Sequence, residues 1–248
     1  PKQHFDVAFV HPYSYKNPHP PKAEWGYSGK IGPEYWGDLH ADFKAAKVGQ
    51  SQSPIDIQGA QFEKDLPSLE FSYKPEKLNF FNNGHTLEEE EEENEAVSFA
   101  VFDGHEVALK QFHFHSPSEH TVDGKPYDME MHLVHKTDDG VYFVVGVFFK
   151  IGAPNDALDP LWNLLPHTNF GVESDHVRFD ASTLLPENRS YYFYPGSFTT
   201  PPCYEGVNWF VLREPVHISQ DQLDRFRAII HGNNRPIQRL NDREVLMR

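Results

Sequence analysis

Apolar and polar residues alternate with a period of two through a series of short runs, and turn-forming residues separate one run from the next. Such a period puts successive side chains on opposite faces of a strand. The runs Leu69–Tyr73, Leu78–Asn82, Ala96–Phe102, Glu106–His115, Met129–Thr137 and Val141–Lys150 are therefore predicted strands. Asp103-Gly104 and Asp139-Gly140 each lie between two runs and read as tight hairpin turns. The second turn makes the strand holding His132 antiparallel to Val141–Lys150. Helical periodicity is scarce. Asp156–Leu165 is one short candidate. Ser219-Gln220-Asp221-Gln222 opens another with a capping box, and Leu223, Phe226, Ile229 and Ile230 give it an apolar stripe up to Gly232. The pattern predicts a mixed α/β chain that is mainly β, with a large, mostly antiparallel twisted sheet of about ten strands and short peripheral helices.

Two of the runs bear chemistry on one face. In Gln111-Phe112-His113-Phe114-His115 the two imidazoles and Gln111 project together, while Phe112 and Phe114 turn to a core. In Glu130-Met131-His132-Leu133-Val134 the same alternation groups Glu130, His132 and Val134. If these strands are neighbours, His113, His115 and His132 converge, and three neutral histidines with a fourth position open are the ligand set of a catalytic zinc site. A His-x-His pair alone arises easily in a chain with 15 histidines. The company strengthens it: Gln111 beside His113 and Glu130 beside His132 are placed to accept the second ring N–H of each ligand and fix its tautomer.

Composition narrows the reading. The 248 residues suit one domain, 1–248, in which residues 1–24, rich in Pro, His and Lys, form a surface arm. His4, His11 and His19 lie in that arm without ligand spacing. With 22 basic and 37 acidic residues the net charge is −15, which argues against nucleic acid and anionic membrane surfaces as partners. No apolar run is long enough to span a bilayer. Cys203 is the single cysteine, so no intrachain disulfide forms. Seven of the negative charges come from Glu88–Glu93 and Glu95, a run read as a solvated loop or strand edge.

Two further stretches bear on function. Asn82-Asn83-Gly84-His85 ends a strand in a turn and exposes an imidazole whose ordinary pKa, near 6.5, suits proton transfer. Ser197-Phe198-Thr199-Thr200-Pro201-Pro202-Cys203 sets two hydroxyls before two prolines, and each proline holds the residue ahead of it extended.

The ordered set Trp25-Gly26-Tyr27, Gln52-Ser53-Pro54-Ile55, Asn83-Gly84-His85, Gln111 to His115, Ser118-Glu119-His120-Thr121, Glu130 to His135 and Gly196 to Pro202 resembles the α-class carbonic anhydrases, from Trp25 to about Arg239. The Ser-Pro-Ser-Glu-His form after the second histidine is closer to the bacterial branch. The resemblance implies reversible hydration of carbon dioxide to bicarbonate by attack of a zinc hydroxide, with Zn2+ on His113, His115 and His132. It implies that Thr199 accepts from the hydroxide and donates to Glu119, and that His85 shuttles the proton through waters ordered by Tyr27 and Asn83. Val134, Val144, Val207, Trp209 and Phe198, with Thr200, are the implied substrate pocket. Sulfonamide-type anions are implied inhibitors, a homodimer an implied assembly, and a periplasmic or secreted location with a removed leader an implied setting. Phe198 stands where the family usually has Leu, Ala46 where the disulfide partner of Cys203 is expected, and Glu88 where relatives typically carry an amide.

Two other readings stay beside this one. His113-x-His115-x3-Glu119 also fits the first metal motif of the cupins, although Val107 and Pro126 occupy positions where that motif places glycine. A zinc-free binding module with the carbonic anhydrase fold is the other.

Overall fold

The alternation read between residues 69 and 151 is realised as paired strands. The computed structural model of the protein describes residues 23–90, 97–166 and 171–248. The early strands are Asp56–Ile57 (β1), Gln61–Phe62 (β2), Leu69–Ser72 (β3), Glu76–Asn82 (β4), Leu87–Glu90 (β5), Phe99–Phe102 (β6) and His105–His115 (β7). The middle of the chain adds Thr121–Val122 (β8), Lys125–Pro126 (β9), Met129–Lys136 (β10) and Tyr142–Ile151 (β11). Gly171–Phe179 (β12), Tyr191–Ser197 (β13), Glu205–Leu212 (β14), Val216–Ile218 (β15) and Leu246–Met247 (β16) complete the set.

Thirteen strands form one open sheet along the path β12-β4-β5-β7-β10-β11-β14-β13-β16-β2, with β3, β6 and β15 paired alongside. Most pairings are antiparallel, but β11 runs parallel to β14 and β15, and β16 to β2. An open sheet of this size is not the small barrel that the cupin reading requires.

β7 and β10 lie at the middle of that path. Their core-facing residues Phe112, Phe114, Met131 and Leu133 are at most 1% exposed. Burying a side chain of this size contributes about 1.5–3 kcal/mol, so these positions hold the register that presents the alternate residues on the other face. A bulge shifts the pairing between Val134 and His135. His135 shares the core face of Met131 and Leu133, its Nε2 2.5 Å from the Tyr73 hydroxyl, and its pKa is pushed down to about 4 by burial. It takes no part in the imidazole cluster.

The helices are Trp36–Leu39 (α1), Ala45–Val48 (α2), Asp159–Trp162 (α3) and Gln220–Arg227 (α4). The capping box forms as predicted: Ser219 Oγ accepts from Gln222 N, and Gln222 Oε1 accepts from Ser219 N, both at 3.1 Å. Leu223 and Phe226 are fully buried, which seats α4 on the core and delivers the following chain, through Gly232, to the back of β7. The stretch Asp156–Leu165 instead divides into a 3-10 turn, Asp156–Leu158, and the four-residue α3, which ends at Trp162. Among the described residues no helix is long and apolar enough to cross a membrane.

The acidic run is a correction. Leu87–Glu90 is an interior strand paired with β4 on one side and β7 on the other, and Glu89 is 2% exposed, so its first three glutamates are neither a loop nor an edge. Glu91–Glu93 and Glu95 lie outside the described residues, as does most of the 1–24 arm.

Candidate metal centre

Cross-strand register brings the three histidines together. His132 lies opposite His113, and Glu130 opposite His115, in the antiparallel β7–β10 ladder. Directly opposed residues share a face. The ring centroids of His113, His115 and His132 are 4.6–5.3 Å apart, and one ring nitrogen from each lies within 4.8 Å of the others. Gly146 lies opposite His132 on β11, and Trp209 packs edge-on to the His132 ring at 4.8 Å.

Hydrogen bonding selects which nitrogen faces inward. His113 Nδ1 meets Gln111 Oε1 at 2.6 Å, His115 Nδ1 meets the Asn233 carbonyl at 2.7 Å, and His132 Nε2 meets Glu130 Oε2 in a short contact. An amide oxygen, a carbonyl and a carboxylate only accept, so each of these ring nitrogens must be protonated. The lone pairs of His113 Nε2, His115 Nε2 and His132 Nδ1 are left pointing at one another. His115 Nε2 is buried without a hydrogen-bond partner. Burial drives the pKa of His113 well below its ordinary value, and lowers that of His115, so both rings are neutral at pH 7. Three converging neutral imidazoles, one of them with an unmet acceptor nitrogen, suit a divalent cation with nitrogen preference, zinc above all.

Glu130 is fully buried and accepts three hydrogen bonds: from His120 N at 3.1 Å, from His120 Nδ1 at 3.0 Å and from the His132 ring. Its pKa is held far below the carboxylate range by His120 and His132, against the opposing effect of its burial. His120 Nε2 in turn meets the Tyr194 hydroxyl at 2.5 Å, and that hydroxyl lies 2.8 Å from Ser53 Oγ. Ser53 and Ser197 exchange backbone-to-hydroxyl bonds at 2.8 and 3.0 Å. A polar chain thus runs from His132 to the strand end that leads into Phe198 and Thr199. Gly196 is required there, because a Cβ would stand 2.1 Å from Ser53 Oγ.

Val134, Val144, Val207 and Trp209 are buried in one apolar cluster, and half-buried Phe198 packs against it and edge-on to Tyr142. Thr199 is 5% exposed; Thr200 beside it is half-buried, and its carbonyl accepts from Cys203 N at 2.8 Å. Cys203 is a free buried thiol, pushed up to about 12 by burial.

Glu119 is fully buried, and its Oε2 accepts from Arg235 N at 2.7 Å. The Thr199-to-Glu119 bond expected from the sequence is not formed: Glu119 Oε1 has no hydrogen-bond partner and lies 3.3 Å from His115 Nε2 and 3.8 Å from His132 Nδ1.

His85 stacks face to face on Trp25, with centroids 3.6 Å apart, and burial lowers its pKa. Trp25, Tyr27, His85, His231 and Asn233 line a cavity of about 300 Å³ at this end of the site. Burial pushes the Tyr27 hydroxyl upward, which keeps it a donor. Asn83 is committed to the turn. Its Oδ1 accepts from His85 N and Thr86 N at 2.9 Å, and its Nδ2 donates to Glu88 Oε2 at 3.3 Å. These contacts hold the turn that carries His85.

Sequence reading missed His120, Tyr194, Ser53, Trp25, Asn233 and Arg235. His120 and Ser53 lay inside quoted motifs but without a task, and Asn233 is 118 residues from the ring it binds, a separation no local pattern spans.

The chain matches a family model described as eukaryotic-type carbonic anhydrase over residues 31–248. It is 42% identical to a carbonic anhydrase of Neisseria gonorrhoeae over 223 residues, 90% of this chain and 87% of the relative. Against the Klebsiella pneumoniae carbonic anhydrase identity is also 42%, covering 90% and 91% of the two chains. The solved α-carbonic anhydrase of Thermovibrio ammonificans, in complex with the inhibitor sulfanilamide, superposes with a TM-score of 0.86 at 46% identity, covering 90% of this chain and 99% of that one.

Proposed function

This chain belongs to the α-class, eukaryotic-type carbonic anhydrase family, and on that footing we propose that it interconverts carbon dioxide and bicarbonate with a zinc ion held by His113, His115 and His132. The observation that supports this most is the tautomer set: each ring spends its outer N–H on a fixed acceptor, and three lone pairs converge on one point.

When bound, zinc lowers the pKa of a water to about 7 and so supplies a hydroxide nucleophile at neutral pH, with carbonic anhydrase itself the reference case for that magnitude. The side chains do the rest. Gln111, the Asn233 carbonyl and Glu130 hold the rings in the ligating tautomer. Val134, Val144, Val207, Trp209 and Phe198 offer an apolar wall to a substrate without charge or donor. With zinc bound, Thr199 would accept from the nucleophile's O–H and donate its own to Glu119 Oε1, an acceptor without a hydrogen-bond partner in this structure. Thr200, the neighbouring half-buried hydroxyl, is assigned to the substrate pocket. Sulfanilamide on the Thermovibrio ammonificans relative supports sulfonamide anions as inhibitors here.

His85 passes the released proton to buffer. Its half-buried ring lines the cavity together with Trp25 and Tyr27, which supports its role as the relay to solvent. His85→Ala should lower turnover in weak buffer by about 10- to 100-fold, the lower part of the general acid–base range because water and buffer partly substitute. Added imidazole should restore the rate. A variant indifferent to buffer would remove His85 from the mechanism.

The deciding experiment is stopped-flow carbon dioxide hydration before chelation, after it and after zinc is returned. Activity lost and regained with zinc is the expected result. Full activity in zinc-free protein would overturn the reading, and stoichiometric zinc without hydration would favour the binding module.

A further inference from the structure

We infer that Glu88 sets the charge selectivity of this active site, disfavouring anions beside the histidine cluster more than it affects neutral carbon dioxide. The inference rests on the functional reading above, because it concerns ligands that approach the same three histidines.

Register supplies the position. Glu88 lies opposite His113, and Glu90 opposite Gln111, in the antiparallel β5–β7 ladder. Opposed residues share a face, with Cβ atoms about 4.5–5.5 Å apart. Glu88 therefore stands on the ligand face beside His113, and Glu90 one pair further out. The alternate residues confirm the sense of the pleat: Leu87 and Glu89 are 0% and 2% exposed on the core side.

The carboxylate also has an anchored partner. Asn83 Nδ2 donates to Glu88 Oε2 at 3.3 Å, and Asn83 is itself held in the His85 turn, where its Oδ1 accepts from the N–H groups of His85 and Thr86. Glu88 is half-buried, so water screens it only in part. Burial, and then Glu90, push its carboxyl up to about 7; surroundings that resist one negative charge resist a second. An anion coming to the cluster meets that charge, whereas carbon dioxide does not. A unit charge at roughly 7 Å, in an effective dielectric between about 20 and 80, changes anion affinity by about 3- to 55-fold.

The test is titration of zinc-loaded wild type and Glu88→Gln with thiocyanate by calorimetry, at about pH 9 and low salt. Glutamine keeps an oxygen for Asn83, so the turn is preserved. Thiocyanate should bind the variant about tenfold more tightly, and raised ionic strength should narrow the gap. The shift in kcat/KM for carbon dioxide should be the smaller of the two effects. Glu90→Gln, one pair further away, should give a lesser gain. Equal thiocyanate affinity in wild type and Glu88→Gln overturns the inference, as does a carbon dioxide effect of the same size. If zinc-loaded wild type binds thiocyanate but hydrates no carbon dioxide, the functional reading fails, while the two thiocyanate affinities still decide the role of Glu88.

Discussion

His115→Ala should yield a folded protein that retains no zinc after dialysis and hydrates carbon dioxide no faster than buffer. His115 is 1% exposed, its Nδ1 is pinned to the Asn233 carbonyl, and its Nε2 is the orphaned inward nitrogen. Removing it leaves two imidazoles, too few to hold zinc against a chelator. The loss should exceed the roughly 10- to 100-fold that removal of an outer partner of a ligand histidine typically costs. The Asn233 carbonyl also loses its donor, at a cost of about 1–3 kcal/mol, so the melting temperature should fall without loss of the fold. Metal analysis, stopped-flow kinetics and circular dichroism on one preparation separate these effects. Zinc retained at one equivalent with activity intact would end the three-histidine assignment.

Glu119→Gln should do the opposite to the metal and nearly as much harm to the rate. Glutamine can keep the bond from Arg235 N through its oxygen, so zinc should stay at one equivalent. What changes is the other atom: an acceptor 3.3 Å from His115 Nε2 becomes an NH2 donor. Thr199 then has no carboxylate to donate to, and its oxygen can no longer be oriented to accept from the nucleophile. A reduction of hydration on the order of 10²–10³-fold is expected, the size seen when one oriented polar group is removed from an active site. Wild-type rates would remove Glu119 from the mechanism. Loss of zinc together with activity would instead make Glu119 a ligand, the arrangement that the cupin spacing proposes.

Those two positions show what could be read from the chain and what could not. The convergence of His113, His115 and His132 was legible because a period of two decides faces, and apolar Phe112, Phe114, Met131 and Leu133 exclude any one-residue slip that would turn them out of the core. The tautomer partners Gln111 and Glu130 were legible for the same reason. Asn233, Tyr194 and Ser53 were not, because their contacts close over 118, 74 and 141 residues and depend on where α4 and β13 dock. The Glu88 strand was misread for a physical reason as well. Consecutive like charges ordinarily seek water, but pairing to β4 and β7 on both sides outweighs that preference and carries Glu89 into the interior. The early helices α1 and α2 span four residues each, too short for a 3.6-residue period to register.

The central placement of β7 and β10 has a consequence for how the site ages. Each is hydrogen-bonded along both edges, β10 to β7 and β11, β7 to β10 and to β5 and β6. Fraying begins at sheet margins and chain ends, and reaches such strands only when the whole domain opens. The amide protons of His113 and His132 should therefore be among the slowest to exchange with deuterium. The ligand set cannot be dismantled one histidine at a time from the backbone side: a chelator must draw the metal out through the mouth of the intact pocket, or wait for global unfolding.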